Sequence, residues 1–192
     1  IQRYASKTLA LKGEKLEEGK FGALNFLNYE KKTFDDIVLS KDLLEEVEIN
    51  LLYPLKNPSK FEKRVFKRGV LLAGLPGVGK TLLCKVLTSV LDCTVIWATA
   101  KALEDPPVIR SLFEAARILR PTLIIFEDID FIGENRAINR NPALGELLSQ
   151  LDGLASNSGV FVLATTNRPE ILDVALVNRP GRFDLKLLFP FP

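Results

Sequence analysis

The segment Gly74-Leu75-Pro76-Gly77-Val78-Gly79-Lys80-Thr81 has the residue types and spacing that a polyphosphate requires. Glycines at these positions let backbone N–H groups curl toward an anion without Cβ clashes, and a helix that starts here offers its positive end. Lys80 adds a full charge for the β- and γ-phosphates, and the Thr81 hydroxyl can ligate Mg2+. Leu82 follows directly and completes the stretch expected to touch a nucleotide. A second group, Glu127, Asp128 and Asp130, comes directly after the apolar run Leu123-Ile124-Ile125-Phe126. Alone these acids would read as a solvated turn. Beside a phosphate cradle they read as metal support and as a means of orienting water.

Composition narrows what other chemistry is available. Histidine is absent from the 192 residues, which removes His nucleophile triads, His general bases and His metal ligands. Reaction must therefore run on carboxylates, Lys, Arg, hydroxyls and backbone groups. The 26 basic and 24 acidic residues leave a formal charge of +2, which gives no whole-chain reason to expect nucleic acid or an anionic membrane. Lys56, Lys60, Lys63, Arg64, Lys67 and Arg68, interrupted by Glu62, are the local support for nucleic acid. No aromatic stacking pattern accompanies them, and a solvated helix and loop is the favoured reading. Cys84 and Cys93 form no C-x-x-C pair and read as small buried hydrophobes in a reducing, cytoplasmic compartment. No apolar run approaches the roughly 18 residues of a membrane span, and the start at Ile1 lacks the order of a signal peptide. Methionine is also absent, and the expectation is a piece of a longer protein.

The elements that must position these groups are legible from periodicity. Nearly continuous Val/Ile/Leu/Phe runs predict strands at 69–73, 94–98, 122–126, 160–165 and 185–189, suited to a sheet covered on both faces. Apolar residues at three- and four-residue spacing predict helices over 81–91, 108–119 and 142–151, and an earlier one over 41–52 that ends before Pro54. The alternation is that of βα units with a parallel sheet. Residues 1–32, rich in Lys, Glu and Gly, read as a strand-containing extension or linker, and 33–192 as the nucleotide-binding domain.

With the order of motifs in view, the chain resembles an AAA ATPase domain from about Thr33 to Pro192. The likeness rests on Gly74–Thr81, Ile124–Asp130, Ala164-Thr165-Thr166-Asn167-Arg168-Pro169 and Arg179-Pro180-Gly181-Arg182-Phe183-Asp184. It implies an α/β P-loop NTPase three-layer sandwich with a five-stranded parallel sheet in the order 5-1-4-3-2. It also implies Asn167 as the sensor that polarises attacking water, and Arg179 and Arg182 as fingers reaching a neighbouring subunit's nucleotide. Asp36 and Ile37, in Asp36-Ile37-Val38, match the family's adenine-contacting turn. The family usually adds a C-terminal helical lid, which is absent from this stretch.

Two departures stand out. The family's usual Asp-Glu order is reversed at Glu127-Asp128, an order that some of its branches share. Aligned on the apolar run, Glu127 takes the Mg2+-supporting role and Asp128 that of catalytic base, with side chains one methylene longer and shorter than usual. Between Trp97 and Val108, many relatives carry a longer loop with an aromatic-hydrophobic-Gly element, which this chain lacks, so peptide threading is not supported. Trp97 could be a pore aromatic, but core packing is the favoured reading. The leading expectation is an ATP- and Mg2+-dependent motor, a homo-oligomer in a hexameric ring acting on a macromolecular client, expected to be protein. The alternatives are an ATP-binding assembly scaffold with little hydrolysis and a DNA-associated P-loop motor.

Overall fold

Apolar runs bounded by turn residues become strands. In the computed structural model they are β1 (Thr8–Leu11), β2 (Leu24–Phe26), β3 (Gly69–Ala73), β4 (Thr94–Ala98), β5 (Thr122–Phe126), β6 (Val160–Thr166) and β7 (Phe183–Leu188). The structure describes residues 7–11, 24–26, 29–57, 60, 69–99, 103–130, 142–153, 159–170 and 182–191. Every residue of β3, β5 and β6 is buried, as befits strands without a polar face.

The strands form one sheet of seven in the order β2-β1-β4-β5-β6-β3-β7. Its run β7-β3-β6-β5-β4 is parallel throughout and has the expected 5-1-4-3-2 order. The expected count of five is corrected to seven. β1 adds parallel to β4, and β2 pairs antiparallel with β1. Strands of four and three residues set among Lys, Glu and Gly are too short for alternation to stand out. Burial of Leu9 in the core holds β1 against the sheet, a long-range effect that local pattern does not carry.

Three helices follow the sequence period closely: α3 (Lys80–Val90), α4 (Pro106–Ile118) and α5 (Pro142–Asp152). The early helix starts as expected, with α1 (Lys41–Val47) capped by the Ser40 hydroxyl on the Leu43 N–H. Its expected end before Pro54 is corrected. The chain continues through a π turn at Glu48–Leu52 into α2 (Tyr53–Lys56). The Tyr53 N–H donates to the Glu48 carbonyl, five residues back. This widened turn carries the helix up to Pro54, which sits within the first two positions of α2, where a missing N–H costs little.

Alternate strand residues feed two cores. Leu71, Ile96, Ile124, Phe126, Val162 and Ala164 face α4 and α5 on one side. Val70, Leu72, Val95, Leu123, Ile125 and Leu163 face the α1–α2 segment and α3 on the other. The result is helix–sheet–helix layering, with both sheet faces covered. Trp97 packs half-buried against the second core, and its indole N–H is buried with no partner among the described residues.

Register then positions the site. Ala73 pairs with Thr166, and Phe126 pairs with Ala164, so β6 runs past the end of β5. The segments beginning at Gly74, Glu127 and Asn167 therefore leave the same edge of a parallel sheet, where α/β folds place their ligands.

Candidate active site

The loop between β3 and α3 is shaped by its glycines. Gly77 and Gly79 adopt φ of 81° and 100°, a region that L side chains avoid, and Gly79 caps α3 without a side-chain hydrogen bond. At Gly74 the constraint is a neighbour. A Cβ there would lie 2.8 Å from the Phe189 carbonyl oxygen, just beyond β7. Around Gly77 the same test finds nothing within 4 Å, so the mouth of the loop is open. Lys80 is buried, and its ammonium donates to the carbonyls of Gly74 at 2.7 Å and Leu75 at 2.8 Å. Burial lowers its pKa from the ordinary lysine value, while Asp128 and Asp130 act in the opposite direction.

Opposite this loop stand the acids. The Thr81 hydroxyl lies beside Glu127. Burial raises the Glu127 carboxyl above the usual carboxylate value, the Thr81 hydroxyl opposes that, and the Asp128 charge adds to it. Asp128 is exposed and holds φ of 51°, the one non-glycine in the left-handed region among the described residues. Asp residues tolerate that conformation better than most, and here the Thr165 hydroxyl holds the Asp128 N–H at 2.9 Å. The Asn167 side-chain amide donates to Asp128 Oδ1 at 2.9 Å.

These groups enclose a cleft of about 400 Å³ lined by Pro76, Gly77, Gly79, Lys80, Thr81, Leu82, Asp128 and Asn167. A second cavity of about 480 Å³ shares Gly77, Gly79 and Leu82 with it. Its walls are apolar and come from Ile37, Leu39 and Leu43 on one side and Phe189 to Phe191 on the other. Together they offer a compartment carrying Lys80, Thr81, Asp128 and Asn167 beside a more apolar one. Among the described residues no group of three or more acids and cysteines could hold a metal by itself. A hydroxyl beside a carboxylate nonetheless suits Mg2+, which keeps most of its water and takes its remaining ligands from phosphates. The residues present fit Mg2+ in company with a polyphosphate.

Most of the residues singled out by sequence meet at this place, with three exceptions. Asp36 is not among the residues lining the cavity that Ile37 borders. Its carboxylate accepts from the Thr33 N–H at 2.7 Å and closes a capping box on a short 3-10 turn. Those bonds hold its pKa below the ordinary value. Arg182 turns inward, with a side chain only 6% exposed, and binds Asp152 of α5 through Nε at 2.7 Å and Nη2 at 2.9 Å. An outward-reaching finger is therefore not the arrangement that Arg182 has in the single chain. Arg179 lies outside the described residues, as do residues 61–68 of the basic stretch.

Sequence reading missed the aromatic wall at Phe189 and Phe191. The signal was available in the strand order. With β7 beside β3, whatever follows β7 must border the phosphate loop. It also missed the hydroxyls of Thr165 and Thr166, which end the central strand next to the acids.

Comparison with known proteins bears on the same residues. The family model described as "ATPase family associated with various cellular activities (AAA)" matches residues 70–191. The ATP-dependent zinc metalloprotease FTSH 11, chloroplastic/mitochondrial, of Arabidopsis thaliana is 39% identical over 172 residues, covering 84% of this chain and 21% of that protein. The ATP-dependent zinc metalloprotease FtsH of Aquifex aeolicus is 38% identical over 178 residues, covering 84% of this chain and 28% of its own length. The ATP-dependent zinc metalloprotease YME1 homolog of Schistosoma mansoni is 37% identical over 162 residues, covering 78% and 24%. The chain thus spans between 21% and 28% of the length of these relatives.

Proposed function

The chain belongs to the AAA family of ATPases, and from that premise we propose that it binds Mg2+-ATP in the cleft between β3, β5 and β6 and hydrolyses the β–γ phosphate bond. The observation that carries this reading is the convergence of the phosphate loop, Asp128 and Asn167 on one cleft. The base and ribose take the adjoining apolar cavity, bordered by Ile37 and Phe189. Lys80 exchanges its two loop carbonyls for phosphate oxygens and offsets their charge. Mg2+, held by Thr81 with support from Glu127, supplies further neutralisation of the β- and γ-phosphates when bound.

Glu127 is suited to the metal side because it lies beside the Thr81 hydroxyl. Asp128 is suited to the water side because it lines the cleft and is exposed. Asp128 accepts a proton from the attacking water, and Asn167 holds both the carboxylate and that water in line with the phosphorus. Catalysis then consists of positioning and charge neutralisation. The assembly is a homo-oligomeric ring in which Arg179 reaches the neighbour's site, and the client is a protein. That last step draws on relatives whose names describe ATP-dependent proteases. Their zinc-protease activity is not carried over to these residues, which include no histidine.

The scaffold reading draws on the Asn167–Asp128 bond, which occupies one oxygen of the acid. Phosphate release by the full-length protein at rising concentration separates the two. A working ring gains specific activity as it assembles. Flat, background-level release with ATP still bound would leave only the scaffold.

A further inference from the structure

The acid and the amide that this reading uses sit at the ends of two adjacent strands, and a hydrogen-bonded stitch ties those ends together. Thr165, the penultimate residue of β6, accepts the Asp128 N–H on its hydroxyl at 2.9 Å and the Ile129 N–H on its carbonyl at 3.0 Å. In the reverse direction, Asp130 reaches back to β6. One carboxylate oxygen accepts the Thr166 hydroxyl, and the other accepts the Asn167 backbone N–H at 3.0 Å. The Thr166 oxygen also accepts the Arg168 N–H at 3.1 Å, so the turn after β6 is held on both sides of Asn167. An ionised carboxylate is an acceptor with two oxygens, and here each oxygen serves one donor of the neighbouring strand.

We infer that Asp130 is a positioning residue for hydrolysis: by fixing the backbone at Asn167 it sets the direction of the Asn167 amide toward Asp128 and the attacking water. This rests on the reading of Asp128 and Asn167 given above. Asp130 is not among the residues lining the phosphate cleft; its charge also acts on Lys80, but the action proposed here is exerted through Asn167. The Asn167 side chain follows the bond to its own N–H by only a few atoms, so loss of that bond loosens the backbone from which the amide is aimed. Misplacement of about 1 Å at such a site costs on the order of a hundredfold in rate.

The test is a cycle of Asp130→Ala and Asn167→Ala in the assembled full-length protein, with kcat and KM for ATP measured beside the affinity for a non-hydrolysable ATP analogue. Asp130→Ala is expected to lower kcat by roughly ten- to a hundredfold with analogue affinity within about threefold. Asp130→Asn keeps one acceptor for the Asn167 N–H and is expected to restore most of the loss. In the Asn167→Ala background, Asp130→Ala should cost about twofold or less, because the group it positions is gone. Should Asp130→Ala not assemble, Thr166→Val carries the same cycle with a smaller expected loss.

Unchanged kcat in Asp130→Ala overturns the inference and leaves the hydrolysis reading standing. Losses that multiply in the double variant also overturn it. Unchanged kcat in Asn167→Ala alone contradicts the role of Asn167 itself, and the inference falls with it.

Discussion

At the scale of single residues, the neighbouring acids Glu127 and Asp128 are divided by environment. Glu127 is partly buried beside Thr81, while Asp128 is exposed on the cleft. Burial places the Glu127 pKa above its unfolded value, so folding favours the protonated acid. Its stabilising contribution is present at low pH and is lost as pH rises through the raised value. Glu127→Gln carries no charge at any pH. In the absence of nucleotide it should melt above the native chain at pH 7, with the difference shrinking on acidification and vanishing below the ordinary value of 4.5. Melting curves across that range check this, and a pH-independent difference would contradict it. The acids themselves were legible in sequence because they directly follow a four-residue apolar run. Their division was not, since it depends on which acid the fold buries beside Thr81 and which it leaves exposed.

At the scale of elements, the close approach of β3 and β7 decides what the strand can carry. A Cβ on Gly69 would lie 2.0 Å from the Arg182 carbonyl oxygen, at a register shift between Gly69 and Val70. Backbone cannot yield there as a side-chain tip can. Gly69→Ala is therefore expected to destabilise the chain by about 3 kcal/mol or more, although its position at the start of β3 puts it at the opposite end of the strand from the phosphate loop. Urea unfolding measures this, and a cost under about 0.5 kcal/mol, ordinary for surface sites, would show the contact to be relaxed. The five long strands and α3 to α5 were legible because each holds its period over five or more residues. The π turn before Pro54 was not, and strands β1 and β2 were legible only as a strand-containing extension, without their bounds or their place in the sheet. The first is a local change of hydrogen-bond step that no residue type announces, and the other two are stabilised by pairing with β4 and each other.

At the scale of the whole molecule, Arg182 is held by Asp152 within its own chain, and the finger proposed for the neighbouring site is Arg179. Sequence could not separate them, because α5 contributes Asp152 from 30 residues away. Arg179→Ala should keep nucleotide affinity yet lower assembled turnover by a factor on the order of a thousand, as removal of an arginine finger does. Mixing it with an Asp128→Asn chain should restore some activity, because each supplies what the other lacks at a shared interface. Absence of any rescue would place the site within one chain. The most direct measurement is steady phosphate release by the assembled full-length protein carrying Asp128→Asn. A loss of at least about a hundredfold is expected, with ATP still bound. Release at the native rate would contradict the role given to Asp128.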